Sequence, residues 1–149
     1  MIQRIQSIYL FLATAAYVCL FFFPFASYVT ATKTYELSVL GLMETGIPLE
    51  RTLPLLAGVL LLIILTFSII FFYKKRMLQS KLTAISLLLN VGLIGGMFFY
   101  SDRFAESLSA RADYSTGTYI VVIPLIFLVL ANRAIRKDEL KVRAADRLR

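Results

Sequence analysis

The chain has 149 residues and a formal net charge of +7; 59% of it is hydrophobic and only 17% charged, with no histidine and one cysteine. Soluble domains run nearer half apolar and a quarter charged. Without histidine there is no metal site built from a His cluster and no imidazole acid–base chemistry, and one cysteine forms no disulfide within the chain.

The apolar excess is concentrated in four stretches, 5–32, 52–73, 82–101 and 114–132, that contain no Asp, Glu, Lys or Arg; their lengths are 28, 22, 20 and 19. About 20 apolar residues carry a helix across roughly 30 Å of hydrocarbon. Four such stretches in so short a chain leave almost nothing to cover a soluble core. The sequence therefore predicts an all-α membrane fold: a four-transmembrane-helix, up-down bundle with a small extracytoplasmic cap and a cytoplasmic C-terminal helix.

The first span is predicted over about 5–25. Its basic start and apolar run resemble a secretory signal, but the run exceeds a usual signal core, so a retained span is expected. Pro24 falls near the end, where a lost helix hydrogen bond costs least. Cys19 reads as a small packing residue. The loop 26–52 follows. Tyr35, Leu37 and Val39 alternate with Glu36 and Ser38, a period-two pattern that predicts a short β-hairpin.

Gly46, Pro48 and Pro54 then break the pattern, and Pro54 suits the first turn of a second span at about 53–73. The connection 74–81 is short, so spans two and three are antiparallel neighbours. Span three, about 82–100, carries Asn90, the most polar group deep in any span, and Gly92 and Gly96 at a four-residue spacing. Small residues let helix backbones approach closely, and an amide hydrogen-bonds across such a contact. Asn90, Gly92 and Gly96 are candidates for a packing face, either within the chain's own bundle or against a partner's helix or a second copy.

The loop 101–117 is short and polar, with one or two helical turns expected over 102–112. Span four is predicted at about 118–131, with Pro124 near its middle as a kink. The tail 132–149 carries seven cations. On a helix, Arg133, Arg136, Lys137, Arg143 and Arg147 lie on one broad face and Asp138 and Glu139 on the other. Anionic lipid headgroups or an acidic protein suit that face. RNA phosphates suit its charge as well, but nucleic acid fits less well, because the tail has no aromatic side chain to stack on bases.

Twelve of the 16 Lys and Arg fall at the amino terminus, in the connection 74–81 and in the tail, with three acids; the other four share the two remaining loops with six acids. The two sides then carry +9 and −2, and the cation-rich side is expected in the cytoplasm, with both termini. The spans contain no carboxylate or cation, which argues against a proton relay or an ion-coupled carrier. The loop carboxylates come with no nucleophile motif, so neither catalysis nor a cofactor nor a metal is expected.

Both ends, "MIQRIQSIYL" at 1–10 and "LANRAIRKDELKVRAADRLR" at 130–149, resemble an uncharacterised family of small four-span inner-membrane proteins of Bacteroidetes-type bacteria. The resemblance extends to the "FFP" exit of span one and to the four-span layout. It implies a location in the bacterial inner membrane, supplies no catalytic residue, and makes Arg4, Asn132, Arg133, Arg136, Asp138, Glu139, Asp146 and Arg147 signature positions. Asn and acids among them suggest a defined contact of the tail, with Arg4 and the "KKR" connection. The expected function is non-enzymatic, an accessory or scaffold subunit of a membrane complex. The alternative is a lipid or small-molecule carrier, or a lipid-acting enzyme, with a cavity between the spans.

Overall fold

The computed structural model describes residues 5–31, 33–44 and 47–147, with side chains at 47, 48, 74 and 141–147 outside that description. The elements in order are helix α1 (Ile5–Cys19), strands β1 (Ala26–Val29), β2 (Thr34–Ser38), β3 (Gly41–Glu44) and β4 (Ile47–Glu50), helices α2 (Leu53–Phe71) and α3 (Arg76–Leu108), strand β5 (Ala112–Tyr114), and helices α4 (Thr116–Ile120) and α5 (Val122–Arg147). Three helices are long and apolar enough to cross a membrane: α2, α3, and α4 with α5 taken together; α1 is apolar but shorter, at 15 residues.

The helices turn alternating three- and four-residue steps inward. On α1 the fully or nearly buried positions include Gln6, Leu10, Ala13, Tyr17 and then Leu20; on α2, Leu55, Val59, Leu62, Thr66 and Ile69. On α3 they include Gln79, Thr83, Ser86, Asn90, Leu93, Met97, Ser101 and Phe104. Val121, Pro124, Leu128, Ala131 and Ile135 continue the rule towards the end of the chain. A 3-4 spacing belongs to the shallow, left-handed class of helix packing. Helix α1 meets α2 and α5, and α3 meets the same two. The exposed side chains are apolar as well, among them Phe11, Ile64, Leu88, Phe99 and Ile126, as suits a surface solvated by lipid tails.

Helix α1 stops at Cys19 and not at Phe25. Leu20, Phe21 and Phe22 donate to carbonyls three residues back, at 3.0–3.2 Å, a tightened last turn ahead of Pro24. Helix α2 opens with Pro54 in its first turn, as expected. Its connection to α3 is far shorter than 74–81: a single 3-10 turn at Phe72–Lys74, then Lys75. Helix α3 has 33 residues, about 50 Å at 1.5 Å each, so it outruns a hydrocarbon layer. Residues 102–108 are its last two turns and not a separate interfacial helix. The seam predicts this: Ser101 and Phe104 keep the inward rhythm past the charged residues. Ser109 closes the helix in the left-handed region (φ 49).

The expected hairpin is part of a five-stranded antiparallel sheet, in the order β4-β3-β2-β1-β5. Both loops contribute, since β5 from the second pairs with β1 of the first. The Tyr35/Leu37/Val39 alternation was a true strand signal. The three residues of β5 are too few to show any period. Proline sits on an edge strand, Pro48 in β4, where a missing donor costs least. Tyr28 is buried and donates from its hydroxyl to the Ser101 carbonyl at 3.1 Å, tying the sheet to α3.

The sheet and helices are joined at Pro24 and Phe25. The Pro24 carbonyl accepts from Gly117 N–H at 2.9 Å and the Phe25 carbonyl from Ser115 N–H at 2.9 Å, while Phe25 N–H donates to Leu37 at 2.6 Å. The approach at Gly117 is close enough that a Cβ there would sit 2.5 Å from the Pro24 oxygen, whereas one at Gly92 would meet nothing within 4 Å. Gly117→Ala therefore loses about 2 kcal/mol to overpacking. Gly92→Ala holds its stability or gains up to about 1 kcal/mol from helix propensity. Thermal unfolding of both variants in one detergent reads the contrast.

Candidate functional site

Three features stand apart from ordinary packing: a polar interior, a groove between α2 and α3, and a cleft at the basic end of the helices. The predicted site residues divide among them.

The interior is polar over half its length. Nearest the basic end, Gln6 donates to Gln79 at 3.3 Å and Gln79 to the Ile69 carbonyl at 3.2 Å. Further along, the Thr14 and Thr66 hydroxyls meet at 2.9 Å, where either one donates to the other, and each also lies within hydrogen-bond distance of the carbonyl four residues back, Leu10 or Leu62; with one proton each, one hydroxyl bonds across the helices and the other bonds its own helix. Thr83 and Ser86 each donate to the carbonyl four residues back on their own helix. Such back-bonding satisfies a hydroxyl without a tertiary partner. Asn90 lies in this seam, fully buried, with neither amide atom partnered; the Tyr17 hydroxyl is the other such buried side-chain atom among the described residues. The motif is therefore split: Asn90 faces inward while Gly92 and Gly96 look towards α2.

Those two glycines line an apolar groove of about 320 Å³ with Gly58, Leu61, Leu88 and Leu89. A Cβ at Gly96 would touch Leu55 and one at Gly58 would touch Leu93, both at 3.3 Å. Gly58 and Gly96 thus serve α2–α3 packing, and Gly92 is the position left open.

At the basic end, α5 runs unbroken from the apolar stretch into the tail. Ser80 donates to Asn132 at 2.8 Å and Arg76 pairs with Asp138 at 3.3 Å, so the tail is fastened to the first turns of α3. Arg76 is the last residue of the "KKR" stretch; Arg4 lies outside the described residues. Beside this contact a cleft of about 330 Å³ is lined by Met77, Ser80, Lys81, Arg136, Glu139 and Leu140. Arg133, Arg136 and Lys137 are exposed, and Asp138 and Glu139 half-buried. The backbone of α5 includes Arg143 and Arg147, but their side chains, like those of the whole 141–147 segment, lie outside the described residues. Pro124 is at the third position of α5. Having no N–H, it cannot close the helix bond to Ile120, and the helix is interrupted at Val121, one turn earlier than the proline itself.

Among the described residues no three His, Cys, Asp or Glu side chains are grouped to hold a metal ion. At the sheet, Lys33 and Glu44 pair at 2.5 Å, and Glu44 raises the Lys33 pKa; the pair is exposed, so it contributes little. Sequence reasoning missed Tyr17, Gln79 and Ser80. The 3-4 rhythm of α1 and α3 contained the signal for Tyr17 and Gln79, since it puts both on inward positions; Ser80 lies one residue beside that seam, facing Asn132.

Reversing one charge of the Arg76–Asp138 pair (Arg76→Asp or Asp138→Arg) lowers stability, and the double reversal recovers part of it. The side chains are about one-third exposed, so screening limits the coupling to about 0.5–1 kcal/mol. A double-mutant cycle on thermal unfolding at low and high salt measures it, and the coupling shrinks at high salt.

No curated protein matches the chain, and no solved structure matches it. The helical layout and the tail that returns to α3 run through nearly the whole sequence, and one family model does too: it matches residues 2–148, and the chain belongs to that family, described as a domain of unknown function, DUF4293.

Proposed function

We propose that the protein is a non-enzymatic, four-span subunit of the inner membrane of a Bacteroidetes-type bacterium, an accessory or scaffold component of a larger complex such as a translocation, secretion or envelope-assembly machine. Both termini are cytoplasmic in this reading, because the cation-rich loops and tail resist transfer. The single observation that carries it is the cleft at the basic end. Lys81 and Arg136 line it together with Met77 and Leu140, which are 52% and 68% exposed. On both helices the apolar residue lies one turn beyond the cation, away from the apolar span. Anionic headgroups would explain cations at a membrane rim, but not large apolar side chains placed further into water. An acidic, amphipathic segment of a partner protein fits both.

The groove over Gly92 supplies the second contact in this reading. A bare helix backbone gives a partner's transmembrane helix a close approach. An acyl chain gains nothing from the four-residue glycine spacing.

Crosslinking in native membranes followed by purification in mild detergent should recover one defined partner. Arg136→Glu and Gly92→Leu should each lower its yield several-fold while leaving the thermal midpoint of the isolated protein unchanged. Recovery of the chain alone, or with a stoichiometric lipid seated in the α2–α3 groove, would overturn the reading; the lipid result would favour the carrier alternative. For orientation, a cysteine at position 140 in a Cys19→Ala background should resist a membrane-impermeant thiol reagent applied from outside.

A further inference from the structure

We propose that Tyr17 and Asn90 together hold an internal water in the middle of the helix assembly, linking α1 to α3 across its interior. Both side chains are fully buried, and the Tyr17 hydroxyl and both Asn90 amide atoms have no protein partner.

The two groups lie at one height. Helices α1 and α3 run in the same direction, each antiparallel to α2, and the Gln6–Gln79 bond at 3.3 Å fixes their relative level. Tyr17 is eleven residues beyond Gln6, and Asn90 is eleven beyond Gln79. Each is therefore about 16 Å further along, and both sit on the inward seam. On the other side of α1, Tyr9 stacks on Phe127 with ring centroids 6.5 Å apart, and the Pro24 carbonyl accepts from Gly117. Those two contacts bracket Tyr17 opposite the Ile120–Pro124 break. Pro124 is buried there and supplies no N–H to the Ile120 carbonyl.

The layer is closed on both sides. Leu93 and Met97 fill the seam towards the sheet, and towards the basic end the Thr14 and Thr66 hydroxyls are engaged with each other and with their own helices while Ser86 donates to Leu82. A buried water needs two to four polar partners. A carboxamide with two donors and two acceptor pairs and a hydroxyl with one donor supply them. No charged side chain lies on these seam positions between Gln79 and Phe104, so a bound ion would be uncompensated. A dry layer would leave three polar atoms unsatisfied in low dielectric.

The chain has two asparagines, Asn90 and Asn132, so labelling with ¹⁵N-asparagine gives two side-chain amide signals. In lipid bilayers, water-edited solid-state NMR should transfer magnetisation from water to both, with Asn132 as the control near the surface. Tyr17→Phe should cut the Asn90 transfer at least twofold and leave Asn132 unchanged. Tyr17→Phe and Asn90→Leu should each lower the thermal midpoint, and the double variant should not lower it further than the worse single. No transfer to Asn90 in the unaltered protein would overturn the proposal, whether the two groups bond directly or lie dry. Additive increases of the midpoint in the two single variants would overturn it as well.

Discussion

The alternating three- and four-residue inward step is the constraint on which the rest depends. In lipid, helices are not driven together by the hydrophobic effect, because the tails are as apolar as leucine. What holds these helices is close contact along a narrow seam. Seam positions such as Ala13, Ala16 and Ala131 are small, and Gly58 and Gly96 let α2 and α3 approach until Leu93 and Leu55 lie 3.3 Å from where a Cβ would stand. Once that rhythm is set, the inward residues follow automatically, polar ones included. Asn90 is inside for the same reason as Leu93: it falls on the step. The amide confers nothing on Gly92, two residues away on another face.

The second constraint is the chain's reversal at Pro24. The proline and its flanking aromatics end α1 early, and their carbonyls become the anchor for a distant segment. Ser115, Gly117 and the Thr118 hydroxyl all donate to Pro24 or Phe25. That brings the second loop beside the first and lets β5 pair with β1. The sheet then rests on the projecting end of α3, where Tyr28 bonds Ser101 and Phe25 packs edge-on to Phe98 at 5.3 Å. The sheet thereby buries backbone polar groups that two separate loops would have left to water.

Long apolar stretches and their flanking charges were legible because they are summed over many residues. That is why α2, α3 and the α4–α5 pair fall where hydropathy puts them. Their ends were not, because charge marks where lipid stops and says nothing of where a helix stops. Arg103 and Glu106 are good helix formers, and α3 runs through them. Likewise Gln79 and Ser80 belong to α3 although Lys81 had set its start later. The strand at Thr34–Ser38 showed itself by period, while β5 exists only because Pro24 delivers it to an edge. As for the candidate site, the four-residue glycine spacing was visible, but which glycine is open depends on Leu55, on a different helix. The tail's Asp138 stood out as a signature acid; its partner Arg76 became identifiable only once α3 was known to start there.

The two halves of the interior are built from different materials. Towards the sheet the seam is apolar and continuous with the sheet's own buried face, through Leu20, Phe25, Leu37 and Val59. Towards the basic end it is a smaller apolar cluster around Leu10, Ile69 and Leu128, interleaved with Gln6, Thr14, Thr66, Gln79 and Thr83. Hydroxyls bonded to their own helices contribute little to cohesion between helices, and interhelical polar bonds in membranes average only about 0.6 kcal/mol. The sheet end therefore carries most of the packing, and the basic end is held by a few directional contacts, Gln6–Gln79, Ser80–Asn132 and Arg76–Asp138. Directional contacts fix geometry more than they add strength. At the end where α3 and the tail together shape the cleft, those contacts fix how its two walls face each other.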